Sequence, residues 1–146
     1  MIVRHHELKF STSHEGAWRN ITEDINHLLN RWNADVGIVN IQVIGSTGAL
    51  VSIECEKGLL NYDLLEIYSK LVPRFKPGKS FHEAKWQDGN AHSHIRASLF
   101  GAQISLNVVG SSLNIGKWQH VVFVEFDVQM ERSRRLSIVY IGKTKK

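Results

Sequence analysis

The side chains best able to do chemistry crowd into one stretch, residues 86–99 of the 146-residue chain. His92 and His94 flank Ser93 there, with Asp88, Asn90 and Arg96 close by in sequence. Imidazoles beside a carboxylate suit metal ligation or proton transfer. Asp88-Gly89 reads as a turn pair, with φ > 0 at the glycine. Ser93 is expected to cap a short helix whose apolar positions are Ile95 and Leu99. Gly101 then ends that helix in a conformation other residues avoid. This places His92 and His94 on either side of a helix start. Unpaired N–H groups and the positive end of the helix dipole meet there, so an anion such as phosphate is welcome. The competing reading is a capped surface helix with solvated histidines, because a bare His-x-His motif is weak.

Other residues extend the possible chemistry. His82, His92 and His94 have the ligand types for a zinc-type ion with one position open, provided the intervening loop folds His82 back. The divalent candidates are Zn and Mg. Glu54 or Asp88 would orient a histidine or act as general base. The guanidinium of Arg96 or Arg134 would stabilise charge on a leaving phosphate. Ser46 and Thr47, within the Gly45–Gly48 segment, offer hydroxyls to an anion, although Gly and Ser are also ordinary turn formers. Trp118 suits stacking on a ring or packing in a core. Glu125 shares a strand face with Val121 and Phe123, so it is either buried and paired or lines a pocket.

The elements that must position these groups follow from patterning. Residues 2–10 alternate as a half-buried strand, with Ile2, His6, Leu8 and Phe10 on one face. Residues 20–32 place Ile21, Ile25, Leu28, Leu29 and Trp32 at helical spacing. Residues 36–44 and 49–54 are strands around the glycine segment. That segment is either a hairpin turn or a bulge that something approaches closely. Residues 58–72 form a second helix that Pro73 stops. A long loop follows to Ser93; loops of that length are commonly functional or disordered, and its Trp and His residues argue against disorder. From Ala102 the pattern is β, with strands near 104–108, 113–115, 118–127 and 135–141. Strands joined by short polar turns indicate antiparallel sheet, so the class is α+β. No repeat or linker divides the chain, and one domain over residues 1–146 is expected.

Composition narrows the function classes. Hydrophobic residues make up 42% and charged residues 22%, as in an ordinary globule. The formal net charge is +4, drawn partly from Lys143, Lys145 and Lys146. No basic-aromatic alternation marks a nucleic-acid surface. No apolar run reaches the ~20 residues of a spanning helix, and the N-terminus lacks the apolar core of a signal peptide. Cys55 is the single cysteine, compatible with a reducing compartment. A cytoplasmic protein without nucleic-acid or membrane partners is the expectation.

Taken in order, the motifs resemble the YjbQ-like family. Gly45-Ser46-Thr47-Gly48-Ala49-Leu50 through Glu54 looks like its Ser/Thr-rich strand segment ending in glutamate. His82 looks like the histidine of its long loop, and Asp88-Gly89 through Ser93-His94-Ile95 like its Asp-to-Ser-His element. Gly116-Lys117-Trp118-Gln119 looks like its Gly-x-Trp-Gln turn, while Glu125 and Ser133-Arg134-Arg135 fit the closing strands. The resemblance implies antiparallel β-sandwich-like sheets with two main helices and one short helix, assembled as a homotrimer. It implies a pocket holding His82, His94 and an acidic group. It also implies a weak secondary thiamine-phosphate synthase activity, which joins an aminopyrimidine diphosphate to a thiazole phosphate and expels pyrophosphate. Many relatives carry a histidine where this chain has Gly45; His92 is the candidate substitute. Two other readings remain: a metal-dependent hydrolase of a phosphorylated small molecule, and a non-catalytic trimeric ligand-binding protein.

Overall fold

A computed structural model describes residues 1–76 and 78–146. Two antiparallel sheets face each other. The larger is built from β1 (Ile2–Thr12), β8 (Arg132–Thr144), β3 (Ala34–Val43), β5 (Gln103–Val109) and β6 (Ser112–Leu113), in that order. The smaller is β2 (Trp18–Asn20), β7 (Gln119–Glu125) and β4 (Gly48–Glu54). Helix α1 (Thr22–Arg31) lies with the first core. A π-helical turn (Leu59–Asp63), α2 (Leu64–Leu71), α3 (Phe81–Trp86) and α4 (Ala91–Phe100) complete the chain. The α+β class and antiparallel pairing are as the patterning predicts, and the two stacked sheets are as the family resemblance implies.

The small sheet is buried on both faces, and this sets the layering. Val121, Phe123 and Leu50 pack with α1 and with Phe10, Val39, Ile41, Leu136 and Ile138 of the large sheet. Val122, Val124 and Ala49 point the other way, into a second core with Leu60, Tyr68, Ala97 and Phe126. A strand covered on both sides must be apolar at consecutive positions, which explains the Val-Val-Phe-Val run of β7. The helices after β4 and α4 are therefore held against the back of the small sheet.

Three details differ from the sequence reading. The glycine segment is neither hairpin turn nor bulge: β3 and β4 belong to different sheets, so residues 44–47 carry the chain across the sandwich. Gly48 does meet a close neighbour, since a Cβ there would stand 2.5 Å from Cζ of Phe123. The long loop contains a helix, α3, which begins at a Ser80 side-chain cap on the Glu83 N–H at 3.3 Å. Strand β2 is too short to show periodicity.

The chain crosses between sheets again from β7 to β8, and a buried polar network joins the two crossings. Arg134 Nε donates to Glu125 Oε2 at 2.6 Å, and Nη2 donates to Glu125 Oε1 and to Thr47 Oγ1. Thr12 donates to Glu125 at 2.7 Å, and the Asp127 N–H does so at 2.8 Å. Thr47 donates onward to Asp127 at 3.0 Å. Glu125 is wholly buried. Glu125→Ala strands a buried guanidinium and is expected to cost about 3–5 kcal/mol. Removing the exposed Lys70 partner with Glu66→Ala should change stability by no more than about 0.5 kcal/mol. Urea midpoints of the two variants check the contrast.

Candidate functional site

Helix α4 decides which of the expected residues meet. It starts at Asn90, not Ser93, so His92 and His94 both lie inside its first turns. Residues two apart on an α-helix point roughly 160° away from each other. The two imidazoles therefore serve opposite sides of α4. The apolar face is also displaced: Ile95 and Leu99 are exposed, while Ala91, His92, Ser93, Arg96 and Ala97 are buried. A carboxylate of the chain itself already stands at the helix start. The Glu83 carboxylate accepts from the N–H groups of Gly89 at 2.6 Å and Ala91 at 2.9 Å. The Ala91 bond, followed by that from Gly89, holds Glu83 below its ordinary pKa, against the opposing effect of desolvation.

On one side of α4, His94 lies beside His82, with ring centroids 5.0 Å apart. The pair borders a groove of about 440 Å³ with Phe75, Ser80 and Phe81. His94 also lines a neighbouring hollow of about 260 Å³ with Gly45, Ser46 and Ser98. Arg134 stands behind Gly45. A Cβ at Gly45 would be 3.3 Å from Arg134 Nη1, a nitrogen that makes no hydrogen bond among the described residues. Asp88 is folded back to 3.4 Å from His82 Nδ1. The structure thus brings together His94, His82, Asp88, Ser46 and the edge of Arg134.

On the other side, His92 Nε2 pairs with Glu15 Oε1 at 2.9 Å, and Arg96 Nη1 pairs with the same oxygen at 2.9 Å. Arg96 Nε donates to the Val72 carbonyl, and Arg74 pairs with Glu15 Oε2. A cavity of about 370 Å³ lies here, bordered by Arg74, Arg96 and Ser69. Burial pushes the Glu15 carboxyl up, but hydrogen bonds from His92 and Arg74, with their charges, bring it down to about 2. Burial lowers the Arg96 pKa, which the Glu15 charge opposes. Glu15 was not legible in the sequence, where it sits in a short polar loop with no period to mark it.

Several expectations are corrected by these placements. His82, His92 and His94 do not form one ligand set, because His92 is turned to Glu15. For the same reason His92 does not take the place of the missing family histidine. Arg96 faces Glu15, away from His94. Ser93 is fully buried, and its hydroxyl finds no partner among the described residues. Thr47 and Glu125 are spent in the buried network. Glu54 lies at the far end of the seven-residue strand β4 from Gly48, roughly 20 Å away. Trp118 and Gln119 are at that same end. Trp118 is 65% exposed, and Gln119 spends its amide on Ser52 and on the Gly116 N–H.

Comparison with known proteins agrees with this architecture. Residues 6–143 match the family described as UPF0047 protein YjbQ-like. A UPF0047 protein of Methanothermobacter thermautotrophicus is 33% identical over 144 residues, covering 98% of this chain and 95% of the relative. One from Archaeoglobus fulgidus is 38% identical over 102 residues, 70% of this chain and 75% of the relative. The crystal structure of a YbjQ-like protein of unknown function from Sulfolobus solfataricus superposes with TM-score 0.79 at 26% identity, covering 97% of this chain and all of that one.

The Glu15 cluster makes a pH prediction. A carboxylate depressed from 4.5 to about 2 contributes stability that is complete above pH 4.5 and is lost as pH falls towards 2. Glu15→Gln should therefore lose less stability than wild type between about pH 5 and about pH 3, and be less stable near neutrality. Urea midpoints at the two pH values check both statements.

Proposed function

Because the chain belongs to the UPF0047 protein YjbQ-like family, we propose that its His94 groove binds a small phosphorylated molecule and supports a weak group transfer. The reaction is that of the secondary thiamine-phosphate synthases it resembles. The thiazole nitrogen attacks the methylene carbon of an aminopyrimidine diphosphate. A C–N bond forms, the C–O bond to the diphosphate breaks, and pyrophosphate leaves with the electron pair. The demand on the protein is to stabilise the charge that develops on the leaving group.

One observation carries this reading. Arg134 is anchored by two of its nitrogens to Glu125 and Thr47, and its third is directed towards Gly45, beside Ser46 and His94. A guanidinium fixed in this way is a preorganised donor for phosphate oxygens. Arg134 itself is buried, but at position 45 it is covered by a glycine alone; the side chain of a histidine there would begin 3.3 Å from that nitrogen. His94 adds an imidazole to the hollow beside Gly45 and Ser46, and His82 adds one to the adjoining groove. Glu54, Trp118 and Gln119 take no part in this reading, since they lie at the other end of the small sheet.

The same reading includes a homotrimer. The outer face of the large sheet exposes Val3, Ile141 and Ile38 in one cross-strand row, beside Val36 and its partner Val109. A contiguous apolar patch of this kind favours burial against further copies. The expected mass in solution is three times 16.6 kDa, and Ile38→Asp should reduce it. A wild-type mass of 16.6 kDa overturns the assembly.

Turnover of aminopyrimidine diphosphate and thiazole phosphate tests the activity. His94→Ala should lower the rate about a hundredfold, and pyrophosphate should raise the wild-type melting temperature more than that of the variant. Equal rates in both proteins remove His94 from the reaction. A pyrophosphate-induced rise without turnover assigns the groove to binding alone.

A further inference from the structure

We propose that His82, Glu83 and Asp88 form a divalent-cation site at the rim of the His94 groove. His82 and Glu83 lie in the first turn of α3. The turn after α3 has left-handed backbone at Gln87 (φ 55°) and Gly89 (φ 70°), which brings Asp88 back over His82. His82 Nδ1 is 3.4 Å from Asp88 Oδ1 and 3.7 Å from Glu83 Oε1, and one donor atom from each residue lies within 4.8 Å of the others. Among the described residues this is the one such group of three.

The spacing discriminates between a proton and a cation as the shared partner. A charge-assisted N–H···O bond brings its heavy atoms to about 2.7–2.9 Å, and both separations exceed that. Donors about 2.1 Å from a tetrahedral ion stand about 3.4 Å from one another; the His82–Asp88 separation is 3.4 Å and the His82–Glu83 separation 3.7 Å. His82 Nδ1 is also shielded from solvent without any hydrogen-bond partner among the described residues. A buried ring nitrogen left in that state calls for an explanation, and an ion or ligand is a common one. Glu83 is prepared as a ligand by the N–H groups of Gly89 and Ala91, which fix its carboxylate in place.

The donor set also selects the ion. One imidazole and two carboxylates suit Zn²⁺ or Mn²⁺, whereas Ca²⁺ takes six to eight oxygens. Three protein donors leave a coordination position open. His82 is itself part of the wall of the His94 groove, its ring centroid 5.0 Å from that of His94, so the site lies at the edge of that groove. The cation site differs from the three-histidine set in dispensing with His92 and His94. Ion binding is separable from the proposed transferase activity, because it requires neither Arg134 nor His94.

The test uses the full chain without a histidine tag, stripped with chelator and titrated with Mn²⁺ alone by calorimetry. Wild type should bind one ion per chain. His82→Ala and Asp88→Asn should each weaken binding at least thirtyfold, with circular dichroism confirming the fold. The His5→Ala, His6→Ala double variant should bind as wild type does. Co²⁺ should give tetrahedral visible absorption bands in wild type that His82→Ala lacks. No ion in wild type, or unchanged affinity in both His82→Ala and Asp88→Asn, overturns the site. Loss of Mn²⁺ binding with intact pyrophosphate binding separates this failure from failure of the transferase reading.

Discussion

The buried Arg134–Glu125 pair is the constraint on which the arrangement depends. Two sheets stacked face to face need the chain to cross between them, and crossings are irregular backbone with polar groups to satisfy. Here the β3–β4 and β7–β8 crossings lie together, and one guanidinium and one carboxylate are shared between them through Thr47, Thr12 and Asp127. A buried ion pair gains little over well-packed apolar residues, because desolvation offsets most of its attraction. Its value here is positional. It holds Gly45 and Ser46 at one place on the surface and aims one guanidinium nitrogen at them.

Helix α4 is the second organising element, and it partitions two kinds of chemistry. Its His92–Arg96 side is closed over Glu15 in a charge cluster that ties the 72–74 segment to the loop before β2. Its His94 side is open, bordered by α3 and the glycine segment. The closed side is structural: every cation there has a carboxylate or carbonyl partner. The open side has unspent donors, and that asymmetry is why the functional reading rests on His94 and not His92.

The negative charge expected at the start of α4 is present, but it belongs to Glu83. A carboxylate upstream in the chain occupies the helix start, accepting from the first N–H of α4, that of Ala91, and from Gly89 just before it. This moves the anion-binding argument away from the helix dipole and onto Arg134. It also converts Glu83 from a bystander into the residue that couples α3 to α4, carrying His82 next to His94.

Much of this was legible in the residues alone. The stripe of Ile21, Ile25, Leu28 and Leu29 specifies α1, the β-branched alternations specify the sheets, and Pro73 and Gly101 mark helix ends. Short-range periodicity suffices for these because each element must bury one face. The ordered motifs also implied a pocket with His82, His94 and an acidic group, but the fold decided which acid stands there: Asp88 is folded back onto His82, and Glu54 is at the far end of β4. Other features depended on distance in space. Which sheet β4 joins, which side of α4 faces the core and what pairs with His92 are settled by contacts between residues far apart in the chain. Glu15 and His92 are 77 positions apart, and Thr47 and Arg134 are 87 apart. No local pattern encodes such pairs; only the packing of the small sheet between two cores, which fixes the helices behind it, brings them within hydrogen-bonding reach.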